Sequence, residues 1–158
     1  MANNLIAPEI LDKMLQEWEQ ETLEIVPDPF ITKLQVKEFE LLSLLENLKY
    51  STYLRFDLLM DLTAIDYLDH FTLVYVLYST RLGHRVMVRC DVPRDKNRVI
   101  SAVNLYSAAD ILEREVYDLM GIDFVGHPNL KRIIMADDFV GHPLRKDFQR
   151  GIGRVDNA

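Results

Sequence analysis

Apolar residues fall at helical spacing near the start of the chain, where Ile10, Leu11, Met14, Leu15 and Trp18 share one face of a segment that opens on Pro8. Proline suits a first helical position because the amide it lacks would have no partner there. A short strand follows in "FITKLQV", and then a second helix in which Phe39, Leu41, Leu42, Leu45 and Leu48 oppose Glu38, Glu40 and Glu46. Next come "RFDLLMDLTAID", "FTLVYVLYST" and "HRVMVRCDV", strand-like runs rich in β-branched and aromatic residues. In the last of them Val86, Val88 and Cys90 alternate with Arg85, Met87 and Arg89, which predicts one face in the core and one in solvent. "STRLGHR" predicts a hairpin connection around Gly83, and "VPRDKNR" a polar break before the next helix.

That helix is the best punctuated. In "SAADILEREVYDLMG" the spacing predicts a helix from about Ala108 to Met120. Ser107 with Asp110 three residues on has the form of a capping box, and Gly121 suits the left-handed residue that ends a helix. Ile111, Leu112 and Leu119 form the apolar stripe, and Glu115 lies on the same face. A carboxylate there needs a cation, for which Arg132, Arg145 and Lys146 are the candidates. Arg114 is in helical reach of Asp110 and Asp118. The order of elements predicts an α+β fold: a single domain with a mainly antiparallel sheet packed by helices, followed by an extended, turn-rich C-terminal segment. The expected division is a core over residues 1–122 and a basic docking segment over 123–158.

Composition changes this picture in two ways. A single cysteine, Cys90, excludes an internal disulfide and any site built from several thiolates. A net charge of −7 argues against a nucleic-acid partner. The charge is uneven, however: the first 50 residues hold ten acids against four bases, whereas from Gly126 onward six bases meet four acids. No apolar run is long enough to span a bilayer, so direct membrane insertion is not expected.

The basic end carries the pentapeptide Phe-Val-Gly-His-Pro twice, at Phe124–Pro128 and Phe139–Pro143. His127 and His142, with Asp137 or Asp138 between them, suggest a metal-dependent hydrolase as one reading. The spacing matches no helical ligand pair, and a proline follows each histidine. The mechanical reading is stronger: Gly126 and Gly141 permit special backbone angles, Pro128 and Pro143 stiffen the exits, and each ring fixes its turn by bonding nearby backbone or a carboxylate. Two rigid turns followed by charges suit a segment lying along a partner.

Glu113-Arg114-Glu115, then Gly126-His127-Pro128 with Leu130 and Arg132, then Gly141-His142-Pro143-Leu144-Arg145-Lys146-Asp147 resemble the signature of the C-subunit family of NADH:quinone oxidoreductase, respiratory complex I. The likeness covers roughly residues 30–150; Ile111 stands where relatives often have Trp. The resemblance implies a structural subunit of the hydrophilic arm that holds no cofactor, with FMN, iron–sulfur clusters and quinone bound by other subunits of a proton-translocating complex. It further implies packing against the D and B subunits, with those motif residues at the interface. The implied location is peripheral, on the cytoplasmic side of the cell inner membrane. An equivalent component of a membrane-bound hydrogenase or a deazaflavin-linked dehydrogenase is the related alternative.

Overall fold

In the computed structural model, which describes residues 5–18, 23–26 and 28–149, a five-stranded sheet is covered on one face by helices. The basic residues expected beyond Gln149 lie outside the described residues. Helix α1 is Pro8–Glu17, and α2 is Leu41–Tyr50. The sheet contains β1 (Glu24–Val26), β2 (Thr32–Lys37), β3 (Leu58–Asp66), β4 (His70–Tyr78) and β5 (Arg85–Pro93), in the order β1-β2-β5-β4-β3. Only the β2–β5 pair is parallel among these, so the mainly antiparallel α+β expectation holds.

Alternation explains which face is buried. On β5, Val86, Val88 and Cys90 point into the core, while Arg85, Met87 and Arg89 do not, as their spacing requires. Leu34 and Val36 on β2 and Phe71, Leu73, Tyr75 and Leu77 on β4 continue the same layer. Leu41, Leu44, Leu45 and Leu48 of α2 close over it. Each such side chain contributes roughly 1.5–3 kcal/mol by leaving water. Gly83 takes φ +75° in the β4–β5 hairpin, where its amide donates to Ser79 O.

Some details differ from the sequence reading. Residues 38–40 form one tighter turn before α2 begins, which shifts the helical phase. Phe39 is therefore 69% exposed and Glu40 buried, the reverse of the expected faces. The segment after β5 is also not simply a break. It carries a short turn at Arg94–Lys96 and a strand, β6 (Arg98–Ile100), which pairs in parallel with β7 (Asp123–Val125).

Between β6 and β7 lies α3, Ala109–Met120, close to the predicted span. The capping box is absent, because the chain enters α3 through backbone turns: the amides of Leu105 and Tyr106 donate to Ala102 O and that of Ala109 to Tyr106 O. The helix ends at Gly121, with φ +70°, as expected. Beyond β7 the chain doubles back along α3 and then across its end. That returning segment, residues 126–149, is called the strap below.

Candidate functional site

An α-helix leaves its last carbonyls without intrahelical donors. In α3 the amide of Gly121 satisfies Tyr117 O, which leaves those of Asp118, Leu119, Met120 and Gly121. The strap supplies a donor to each. His142 donates Nδ1–H to Asp118 O at 2.9 Å, and Leu144 its amide to Leu119 O at 3.1 Å. Arg145 donates Nε–H to Met120 O at 2.6 Å and Nη2–H to Gly121 O at 3.2 Å. Its positive charge sits at the negative end of the helix dipole. Burial, together with Arg145 and Arg132 nearby, pushes the His142 imidazole below its ordinary pKa, so the neutral ring holds its proton on the nitrogen facing the carbonyl.

The fit leaves no room at Gly121. A Cβ there would lie 2.5 Å from the His142 ring and 2.6 Å from Arg145 Nη2, at a backbone angle that L-residues disfavour. Gly121→Ala is expected to cost about 2–3 kcal/mol, read as a lower urea midpoint of the full chain. A cost below about 0.5 kcal/mol would contradict this packing.

Asp118 is the anchor of the joint. Its side chain is fully buried, and its two oxygens divide the work. Oδ1 accepts from Arg132 Nη1 at 2.6 Å. Oδ2 accepts three consecutive strap amides, from Ile133, Ile134 and Met135, at 3.0, 2.8 and 2.9 Å. Burial raises the carboxyl's pKa, but the three amides and Arg132 outweigh it and hold the group at about 2. Arg132 also donates from Nη2 to Gly141 O at 3.0 Å, tying one end of the strap to the other.

The two histidine turns grip α3 at opposite ends. In the first, Gly126 takes φ +87°, and the amide of Asn129 donates to His127 Nδ1 at 3.0 Å. That bond leaves Nε2 as the protonated nitrogen, and it faces Asp110 O at 3.0 Å. In the second, Gly141 takes φ +95° and His142 reaches Asp118 O. Pro128 and Pro143 carry the chain out of each turn. Asp137 and Asp138 are exposed, and among the described residues no group of three or more His, Cys, Asp or Glu side chains is placed so that it could hold a metal ion.

A second buried carboxylate holds the far end. Asp66, at the end of β3, accepts from the Lys146 amide at 2.9 Å, from Arg94 Nη1 at 2.7 Å and from the Leu68 amide at 2.7 Å. Burial raises its pKa and these donors more than offset it, so that it lies at about 2. Arg94 Nη2 lies 2.8 Å from Asp147, and the Arg94 and Arg145 guanidiniums both lie over the ring of buried Phe71. The Lys146 ammonium sits 5.9 Å from the Tyr67 ring centroid.

The Glu-Arg-Glu run points three ways. Glu113 is fully buried, accepting from Ser101 Oγ at 2.5 Å and from the Ala102 amide at 2.7 Å. Arg114 donates to Lys131 O and Arg132 O of the strap rather than to Asp110 or Asp118. Glu115 is exposed, which corrects the expectation that it lies in the apolar stripe. The true inner face is Ala109, Glu113, Val116 and Met120, and Ile111 is 53% exposed. The cations expected for Glu115 go elsewhere, Arg132 to Asp118 and Arg145 to carbonyls. Asp118 was open to sequence reasoning through one signal, since an acid in the last turn of a helix opposes the dipole and so calls for compensation. Asp66 and Arg94 gave no comparable signal.

Comparison with known proteins agrees with this architecture. Residues 34–151 match the family model described as respiratory-chain NADH dehydrogenase, 30 Kd subunit. The C subunit of the NADH-quinone oxidoreductase of Trichlorobacter lovleyi is 39% identical over 149 residues, covering 91% of each chain. A chain of the membrane-bound sulfane sulfur reductase, an archaeal respiratory membrane complex, superposes with a TM-score of 0.79 at 28% identity, over 91% of this chain and 86% of that one. A trypsin-resistant fragment of Nqo5 superposes with a TM-score of 0.64 at 30% identity, over 76% of this chain and 98% of the fragment. The fold and the order of the motif residues thus lead to one conclusion: this chain belongs to the 30 Kd subunit family of the respiratory-chain NADH dehydrogenase.

Proposed function

We propose that this chain is a structural subunit of the hydrophilic arm of a proton-pumping NADH:quinone oxidoreductase. On this reading it holds no cofactor, and it supports electron flow from NADH through FMN and iron–sulfur clusters in other subunits to quinone. Its neighbours are the D and B subunits, and its place is peripheral, on the cytoplasmic side of the cell inner membrane, attached through those partners. No helix among the described residues is long and apolar enough to cross a membrane.

The observation that carries the reading is the two-sidedness of the strap. Its polar groups turn inward onto Asp118, Asp66 and the end of α3, while Ile134, Val140 and Leu144 stay 55%, 67% and 60% exposed. Exposed apolar side chains on a segment fastened from its inner side suit a subunit interface better than free solvent. The relatives' names supply the complex in which such a partner would be found.

The test is to tag the chain, solubilise membranes gently and identify what co-purifies. Flavin- and iron–sulfur-containing partners with NADH-dependent quinone reduction support the reading, and recovery of the chain alone sinks it. The likeness to the sulfane sulfur reductase chain favours one second reading, an equivalent component of a related membrane complex such as a hydrogenase or a deazaflavin-linked dehydrogenase. Partners of that kind in the same experiment would replace the donor but keep the structural role.

Charge reversal at Arg145 tests the interface. A glutamate there would face the carbonyls of Met120 and Gly121 with like partial charge. Arg145→Glu is expected to lower recovery of the assembled complex and membrane-bound NADH oxidation about fivefold or more, with the sheet still folded by circular dichroism. Normal assembly would remove the strap from the interface.

A further inference from the structure

The strap differs from the rest of the molecule in how it is held. Leu130 is its last residue packed against the apolar core, and none of residues 131–149 is buried. What fastens those residues is directional and polar: four donors on Asp118, the carbonyls at the end of α3, Arg114 on Lys131 O and Arg132 O, Asp66, and the Arg94–Asp147 pair. The first turn is different again, because the His127 side chain is fully buried against α3.

Within residues 131–149 the chain is cross-tied to itself. Arg132 donates to Gly141 O and its guanidinium lies 5.9 Å from the Phe139 ring centroid. Phe139 stacks on Phe148 at 5.8 Å, and Phe148 lies against Gly141. Bonds at the Asp118 end therefore constrain the same piece that Asp66 holds at the other end.

From these observations we infer that residues 131–149 form one hinged unit that opens from the folded domain and recloses as a single piece, latched at Asp118 and at Asp66 and pivoting just beyond Leu130. Segments with few buried apolar contacts open at free energies below that of global unfolding. Opening hydrates Asp118, Asp66 and the α3 carbonyls and leaves the sheet core unchanged. Closing sets Ile134, Val140 and Leu144 on the outer surface in a fixed arrangement. The inference concerns the chain by itself, so it stands or falls apart from the choice of partner.

Hydrogen exchange read by mass spectrometry on the full chain tests it. The amides of Ile133, Ile134, Met135, Leu144 and Lys146 are expected to share one opening equilibrium, exchanging about 100-fold or more faster than those of β4 and β5. Asp66→Asn is expected to speed exchange at residues 133–135 by the same factor as at Lys146, about tenfold or more, with β4 and β5 unchanged. Strap amides as slow as the sheet, two separate rates at the two ends, or an Asp66→Asn effect confined to Lys146 would each overturn the inference. Should that variant not fold, the wild-type rates alone decide.

Discussion

Replacing Asp118 with alanine is expected to free residues 131–149 from the domain while the sheet stays folded. The substitution strands the Arg132 guanidinium and the amides of Ile133, Ile134 and Met135, all of which now converge on one buried carboxylate. Removing one partner of such a pair costs about 3–5 kcal/mol, or roughly two to four orders of magnitude in the opening equilibrium. Limited trypsin digestion reads the result directly, as faster cleavage after Lys131, Arg132, Arg145 and Lys146. Asparagine should rescue little. The carboxylate presents an acceptor on both sides, whereas an amide must aim its NH2 either at Arg132 or at three N–H groups. Near-normal protection in Asp118→Asn would show that the charge and second acceptor are not what holds the strap.

The same geometry sets an acid limit. Asp118 and Asp66, each at about 2 in the folded chain, lie below the ordinary carboxylate value. Groups depressed in this way stabilise the closed form above the ordinary value near 4 and lose that contribution as pH falls through about 2. Each is worth about 2 kcal/mol at neutral pH. The charge facing Asp118 is Arg132, with Arg145 and the His142 ring close by; those facing Asp66 are Arg94, Arg145 and, beyond Arg94, Asp147. The share of strap protection lost through Asp118 and Asp66 should therefore fall between about pH 4 and pH 2, below the range in which charging the His142 ring begins to cost stability.

Much of the fold was legible because one rhythm dominated each element. Alternation on β5 identified its buried face, and Gly121 marked the end of α3. Strands β1, β6 and β7 have three residues each, too short for a period to show, and they form only because a neighbour supplies the ladder. The phase of α3 was misjudged for a different reason. Ile111 and Leu119 are apolar yet not buried, while Glu113 is buried among apolar neighbours by virtue of its bonds to Ser101 and Ala102. Hydrophobicity alone ranks those positions wrongly. The twin turns could be read as stiff, backbone-bonding corners from their Gly-His-Pro sequence. That both rings reach carbonyls of one helix could not, since it depends on the strap doubling back along α3. The Asp66 latch joins residues 80 apart in sequence, and no local pattern announces it.

Glu113→Ala should be the most damaging change to the domain itself. Unlike Asp118, which holds a surface strap, Glu113 stands between α3 and the loop that follows β6, with no exposed surface. Alanine would leave the Ala102 amide and the Ser101 hydroxyl without their acceptor and open a cavity beside Val116 and Met120. The expected loss is about 3–5 kcal/mol, measured as a shift of the urea midpoint of the full chain. Glutamine is a sharper probe. Its oxygen can accept from the Ala102 amide while its NH2 donates to Ser101 Oγ, which already accepts from the Val103 amide. Burial raises the Glu113 pKa, against the lowering pull of Ser101, the Ala102 amide and His127, with Asp110 adding to the rise. A carboxyl raised in this way stabilises the fold below the ordinary glutamate value and loses that contribution as pH rises through its folded value. Glutamine has no proton to lose. The difference in stability between Glu113→Gln and the natural chain should thus shift in favour of glutamine as pH rises. A difference that is flat with pH would mean that ionisation at this site is not opposed by burial, and a glutamine variant as unstable as alanine would mean that an amide cannot replace the two bonds made by the carboxyl.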